Sequence, residues 1–184
     1  MASSSRWFMI DGKLNPRALV ALYAPGMAEE VIAVLHGTPY EAIAASGPIL
    51  ARASSQSDLQ RKWHSNEVPV CHAWCFTTEL TAYDLAAYWR RRLLVNGPMG
   101  RTLWLRYSDA RVMARGVEKA VFSTSFWEGV SSLQLSPQHG EWMPRLKTEE
   151  GQADWKEPQS DVLLPLFTFN EHQLATLSAP EYVA

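Results

Sequence analysis

Apolar and polar positions come in short alternating blocks along the first two-thirds of the chain. Trp7-Phe8-Met9-Ile10 is a continuous apolar run that predicts a buried strand, closed by the turn pair Asp11-Gly12. Asn15-Pro16 has the form of a helix start, with Leu19, Leu22 and Tyr23 as the apolar face and Pro25-Gly26 as the stop. The apolar segment Val31 to Leu35 runs into the loop His36-Gly37-Thr38-Pro39, and a short helix from Tyr40 to Ala45 ends at Gly47-Pro48. Residues 54 to 66 predict a polar amphipathic helix anchored by Leu59 and Trp63 at i, i+4 spacing.

Val70 to Thr77 predicts a strand with Cys71, Ala73 and Cys75 on one face and His72, Trp74 and Phe76 on the other. Thr81 then caps a helix with Asp84 as capping-box partner, and Ala82, Leu85, Ala86, Trp89 and Leu93 form its buried stripe up to the stop at Asn96-Gly97-Pro98. A strand from Arg101 to Tyr107 follows, with Leu103, Leu105 and Tyr107 on one side. Asp109 opens a further helix whose inner face is Val112, Met113, Val117 and Val121. Helical and extended patterns thus alternate, which predicts an α/β fold: a mixed sheet flanked by helices.

The character changes near Gln134. Residues 134–184 hold 3 Lys+Arg against 8 Asp+Glu, a net of −5, whereas the preceding 133 residues carry +3. The division expected is therefore an α/β domain over residues 1–133 and an acidic region over 134–184. The latter reads as loops or a hairpin around Trp142 and Trp155, then a strand-like run from Val162 to Phe169 and a short helix capped by Asn170.

A chain of 184 residues with 47% hydrophobic and 20% charged residues has the balance of a globular protein. A net charge of −2 argues against a general nucleic-acid binder. The polar start Met1 to Arg6 and the brief apolar run after it do not make a signal peptide, and no apolar stretch approaches the ~20 residues of a membrane helix. Two cysteines and no leader are the expectation for a cytoplasmic protein without membrane association.

Few residue sets offer chemistry. On a strand, Cys71 and Cys75 would lie ~13 Å apart, too far to share a metal, and the histidines lack ligand-like spacing, so no metal or cofactor is expected. Gly97-Pro98-Met99-Gly100-Arg101 lacks the ending of a phosphate loop and joins a helix to a strand, the wrong order. No Gly-x-Ser-x-Gly elbow is present, and no catalytic residue is assigned. Arg90-Arg91-Arg92 reads as a solvated helix end that complements the macrodipole. Arg106, Asp109 and Arg111 crowd a strand-to-helix junction, where Asp109 can cap the helix and pair with an arginine. Among the eight tryptophans, Trp63, Trp74, Trp89 and Trp104 fall on predicted inner faces. Trp127, Trp142 and Trp155, in or near the irregular region, are candidate partner-binding aromatics.

Several segments, taken in order, form a recognisable series: Trp7-Phe8-Met9-Ile10-Asp11-Gly12 with Asn15-Pro16, Leu35-His36-Gly37-Thr38-Pro39-Tyr40, Gly47-Pro48-Ile49-Leu50, Trp89-Arg90-Arg91-Arg92-Leu93-Leu94, and the run from Gly100 to Val112. Over roughly residues 6 to 130 the series resembles the effector adaptors (chaperones) of bacterial type VI secretion, the Tap family. Where that family usually reads Arg-Phe-Tyr-Asp-Pro-Arg, this chain has Arg106-Tyr107-Ser108-Asp109-Ala110-Arg111, which keeps both arginines and the aspartate. Family members are often longer, with a helical second lobe, and the segment from Asn170 looks like its beginning. The resemblance implies a non-enzymatic protein that binds a toxic effector and helps load it onto the VgrG spike. An immunity-type toxin binder and a small hydrolase are the alternatives. Asp11, Arg106, Asp109 and Arg111 are expected mainly to hold strand ends together, with partner binding as their other possible role.

Overall fold

A computed structural model describes residues 5–144, 157 and 163–179. Its centre is a five-stranded antiparallel sheet in the order β2-β3-β1-β4-β7, built from β1 (Ser5–Asp11), β2 (Glu30–Ala33), β3 (Pro48–Arg52), β4 (Trp74–Thr78) and β7 (Ser132–Gln134). A separate hairpin pairs β5 (Leu94–Asn96) with β6 (Thr102–Trp104). The expected sheet flanked by helices is therefore present.

Strand register explains the two-sided core. Met9 stands opposite Leu50 and Trp74, while Phe8 stands opposite Ala51 and Cys75, so alternate residues of three strands sort onto opposite faces. The Phe8 face is covered by α1 (Ala18–Leu22) and α2 (Asp58–His64), through Leu22, Leu59 and Trp63. The Met9 face is covered by α3 (Ala82–Arg90) and α4 (Ala110–Glu118), together with Phe122, Phe126 and Trp127. Trp89 lies at its centre, within 5.6 Å of the rings of Trp74, Phe76, Tyr88 and Tyr107. The last helix, α5 (Glu171–Ser178), packs on α4. Asn170 and Gln173 close a capping box at its start, as the Asn170 signal predicted.

Several local expectations are corrected. Asn15 does not cap α1: its amide donates to the carbonyls of Asp11 and Cys71 and accepts from the Cys71 amide, so it ties a turn to β1 instead. Tyr23 is exposed, not part of an apolar face. Residues 70–73 are not strand: Cys71 and His72 form a turn, with His72 at a positive φ, and β4 begins only at Trp74. The helix through Trp89 stops at Arg90, where the bonds tighten from Arg91 N–Ala87 O to Arg92 N–Trp89 O, and the chain re-emerges as β5. The expected strand after residue 162 is reduced to a bridge between Asn96 and Thr168. The hairpin around Trp142 is present, closed by paired bonds between Leu133 and Trp142.

Candidate functional site

The end of β1 and the start of α4 meet at a polar junction. Asp11 is buried at the end of β1, and Oδ1 accepts the amides of Lys13 and Leu14 at 2.9 and 3.0 Å. Its Oδ2 accepts Ser108 Oγ and Arg106 Nη2, both at 2.9 Å. The turn beyond it requires glycine, since a Cβ on Gly12 would stand 2.2 Å from the Ala45 carbonyl oxygen. Asp109 is the N-cap of α4: Oδ1 accepts the amide of Arg111, and both carboxylate oxygens take the Arg111 guanidinium at 3.0 Å. Burial by itself would raise the Asp109 carboxyl, but the bonds from Arg111 and the charges of Arg111 and Arg106 outweigh it and hold the group below the usual range. The structure thus brings Asp11, Arg106, Asp109 and Arg111 together at one junction. The contacts of Asp11 with Arg106 and Ser108 join the end of β1 to the segment before α4, whereas those of Asp109 with Arg111 are local to the start of α4.

Beside this junction lies an open cleft of about 490 Å³. Val95, Leu103 and Leu105 of the hairpin region form one wall, Val112 and Arg115 of α4 the second, and Leu174 and Leu177 of α5 the third. Arg106, Asp109 and Arg111 stand along its margin. Trp104 also lines the cleft. It is 38% exposed, with its ring edge-on to Tyr40 at 5.2 Å, so its assignment to the core is corrected. A smaller cleft of about 340 Å³ lies between His72, Asn66 and His139, with Arg111 shared between the two. Among the described residues, no group of three His, Cys, Asp or Glu side chains could hold a metal ion, and no helix is long and apolar enough to cross a membrane.

Of the candidate partner-binding aromatics, Trp127 is only 3% exposed and belongs to the core, contrary to expectation. The irregular segment folds back over the sheet face, and the rings of Phe122 and Phe126 close over Trp127. Trp142 is 38% exposed, edge-on to Trp127 at 5.8 Å. Trp155 lies outside the described residues.

The solvated reading of the triple arginine is also overturned. Arg92 is fully buried, its guanidinium carbon 3.4 Å from the Tyr88 ring centroid. Nε donates to the Phe126 carbonyl at 2.8 Å, and Nη1 and Nη2 take the two oxygens of Glu157 at 2.8 Å each. Arg91 Nε reaches the same carboxylate at 2.5 Å. Arg90 donates to the carbonyls of Val34 and His36. Burial acts to raise Glu157, but the bonds and charge of Arg92, and then of Arg91, leave it below the ordinary carboxylate range. Three arginines in a row at a helix end carry no sequence signal for this, since the groups that bury Arg92 (Phe126 and Glu157) lie far along the chain. The one available hint was Tyr88, an aromatic four residues before Arg92 on whose ring the guanidinium stacks.

The family model described as Domain of unknown function (DUF4123) matches residues 6–119. The matched stretch runs from β1 to the last residues of α4, and so contains the whole polar junction and two of the three cleft walls. No curated protein and no solved structure matches the chain. With more than half of its length matched, the chain belongs to the DUF4123 family, a domain whose description leaves its function unknown.

Proposed function

We propose that this protein is a non-enzymatic adaptor that binds a type VI secretion effector and helps load it onto the VgrG spike. The observation that carries the reading is the cleft between the β5–β6 hairpin, α4 and α5. It has an apolar floor and an arginine margin, the composition of a surface that receives another polypeptide's side chains. Two further features support it. The ordered motif series that resembles the secretion adaptors lies in the stretch that the family model matches. The acidic groups of the junction are engaged in capping and strand-end contacts, so they are not poised as a general acid or base.

Co-expression with the toxin and spike genes neighbouring its own is the test. Both partners are expected to co-purify at micromolar concentration, and deletion of the adaptor is expected to block export of the toxin. If neither co-purifies, the reading fails. A cell left poisoned by its own toxin after the deletion, with export unimpaired, would identify a neutralising partner instead.

A further inference from the structure

The cleft carries more information than its size. Its floor is aliphatic, from Leu103, Val112, Leu174 and Leu177. Around it stand three arginines, Arg106, Arg111 and Arg115, against one lining carboxylate, Asp109. That carboxylate is buried and bound on both oxygens by Arg111, so it offers little to an incoming cation. Arg106 is 43% exposed and meets Asp11 through Nη2, with Asp109 farther off at 3.8 Å. Arg115 Nη2 donates to the Leu177 carbonyl at 2.7 Å, which fixes a guanidinium at the meeting point of α4 and α5. Fixed arginines beside an aliphatic floor select carboxylates joined to apolar groups, because the charges give attraction and the floor gives burial.

The walls also constrain the form of the occupant. α4 and α5 face the cleft mainly with side-chain ridges, and the Leu177 carbonyl at their meeting point is taken by Arg115. The nine residues of α4 make a wall of about 13 Å, the length of two to three turns of helix. We infer that the cleft docks an acidic amphipathic helix of the partner, with apolar side chains on the aliphatic floor and carboxylates against Arg106 and Arg115. This inference rests on the binding role proposed above and specifies the chemistry of what is bound.

The probe is a stapled model helix with leucines at i, i+3, i+4 and i+7 and glutamates elsewhere, titrated into the isotope-labelled full chain and followed by backbone amide shifts. A second helix carries lysines in place of the glutamates. Shifts are expected at Leu103, Val112, Arg115, Leu174 and Leu177, with the glutamate helix binding about tenfold more tightly than the lysine helix. Raising salt to about 0.3 M should weaken it severalfold. Arg115→Gln and Arg106→Gln should each weaken it by about threefold or more, and the remote exposed variant Tyr83→Gln should not. Equal affinity for the two helices, shifts confined to another face, or self-association through this cleft in sedimentation would each overturn the inference. The two readings fail separately. If the glutamate helix docks here but toxin and spike do not co-purify, the secretion reading falls and the cleft assignment stands; if the partners co-purify and the helix does not dock, the reverse holds.

Discussion

Arg92 and Arg106 carry the same guanidinium to the same kind of carboxylate, in settings that give the two pairs opposite meanings. Arg92 is fully buried, stacked on Tyr88, and shares Glu157 with Arg91. Arg106 is 43% exposed and touches buried Asp11 through one nitrogen at the edge of an open cleft. In the first case a low-dielectric surrounding makes every contact strong and every missing contact costly. In the second, solvent screens the pair, so little of its charge is committed to the fold and much remains to meet a partner. An arginine's value to stability is set by the burial of its partner network, and its value to recognition by what that network leaves over.

The largest effect should come from Arg92→Ala. It leaves Glu157 beside Arg91 alone and opens a cavity against Tyr88 and Phe126, with an expected loss of about 3–5 kcal/mol in urea unfolding. Arg92→Lys should recover only part of that, because an ammonium cannot hold both Glu157 oxygens while stacked on a ring.

Acidification should act on both regions. Glu157 and Asp109 have folded-state pKa values below their ordinary ones, so each adds stability that is present above the unfolded value and lost as pH falls through the folded value. Unfolding free energy measured across a pH series should therefore fall below about pH 4, and Glu157→Gln should flatten that fall. An unchanged profile in the variant would remove Glu157 from the account.

Asp109→Ala comes next. Loss of the cap and of the Arg111 pair should lower stability by about 1–2 kcal/mol, more than it weakens partner binding. A variant that melts like wild type yet fails to bind would reassign the junction from scaffold to recognition site. Arg106→Gln should be the mildest, with a change of about 0.5 kcal/mol or less in unfolding, since Arg106 itself is half exposed and buried Asp11 keeps Ser108 and the amides of Lys13 and Leu14. Its effect belongs in binding. If it destabilised as much as Arg92→Ala, the contrast between the two regions would collapse.

Much of the junction was legible because its signals are local. Asp109 precedes an apolar-periodic stretch and caps it, and Arg111 lies two residues on, within reach of the same carboxylate. Asp11 closes an apolar run, and Gly12 marks the turn. The cleft was not legible, since its walls come from residues 95, 112 and 174, which no spacing rule connects. Trp104 and Trp127 exchanged their expected places for a related reason. Period-two alternation assigns a side of a strand, but β6 belongs to a small hairpin whose outer side meets Tyr40 and solvent. Trp127 sits in an irregular segment whose burial depends on Phe122 and Phe126 folding back over the sheet.

Taken alone, the order of amino acids determined many of the elements: where apolar runs and periodicity select strand or helix, and where Thr81, Asp109 and Asn170 start helices. Only the packed chain decided which charges are spent and which remain available. Burial is a property of everything that surrounds a side chain, and Glu157, sixty-five residues from Arg92, turns what reads as a solvated cation into part of the core.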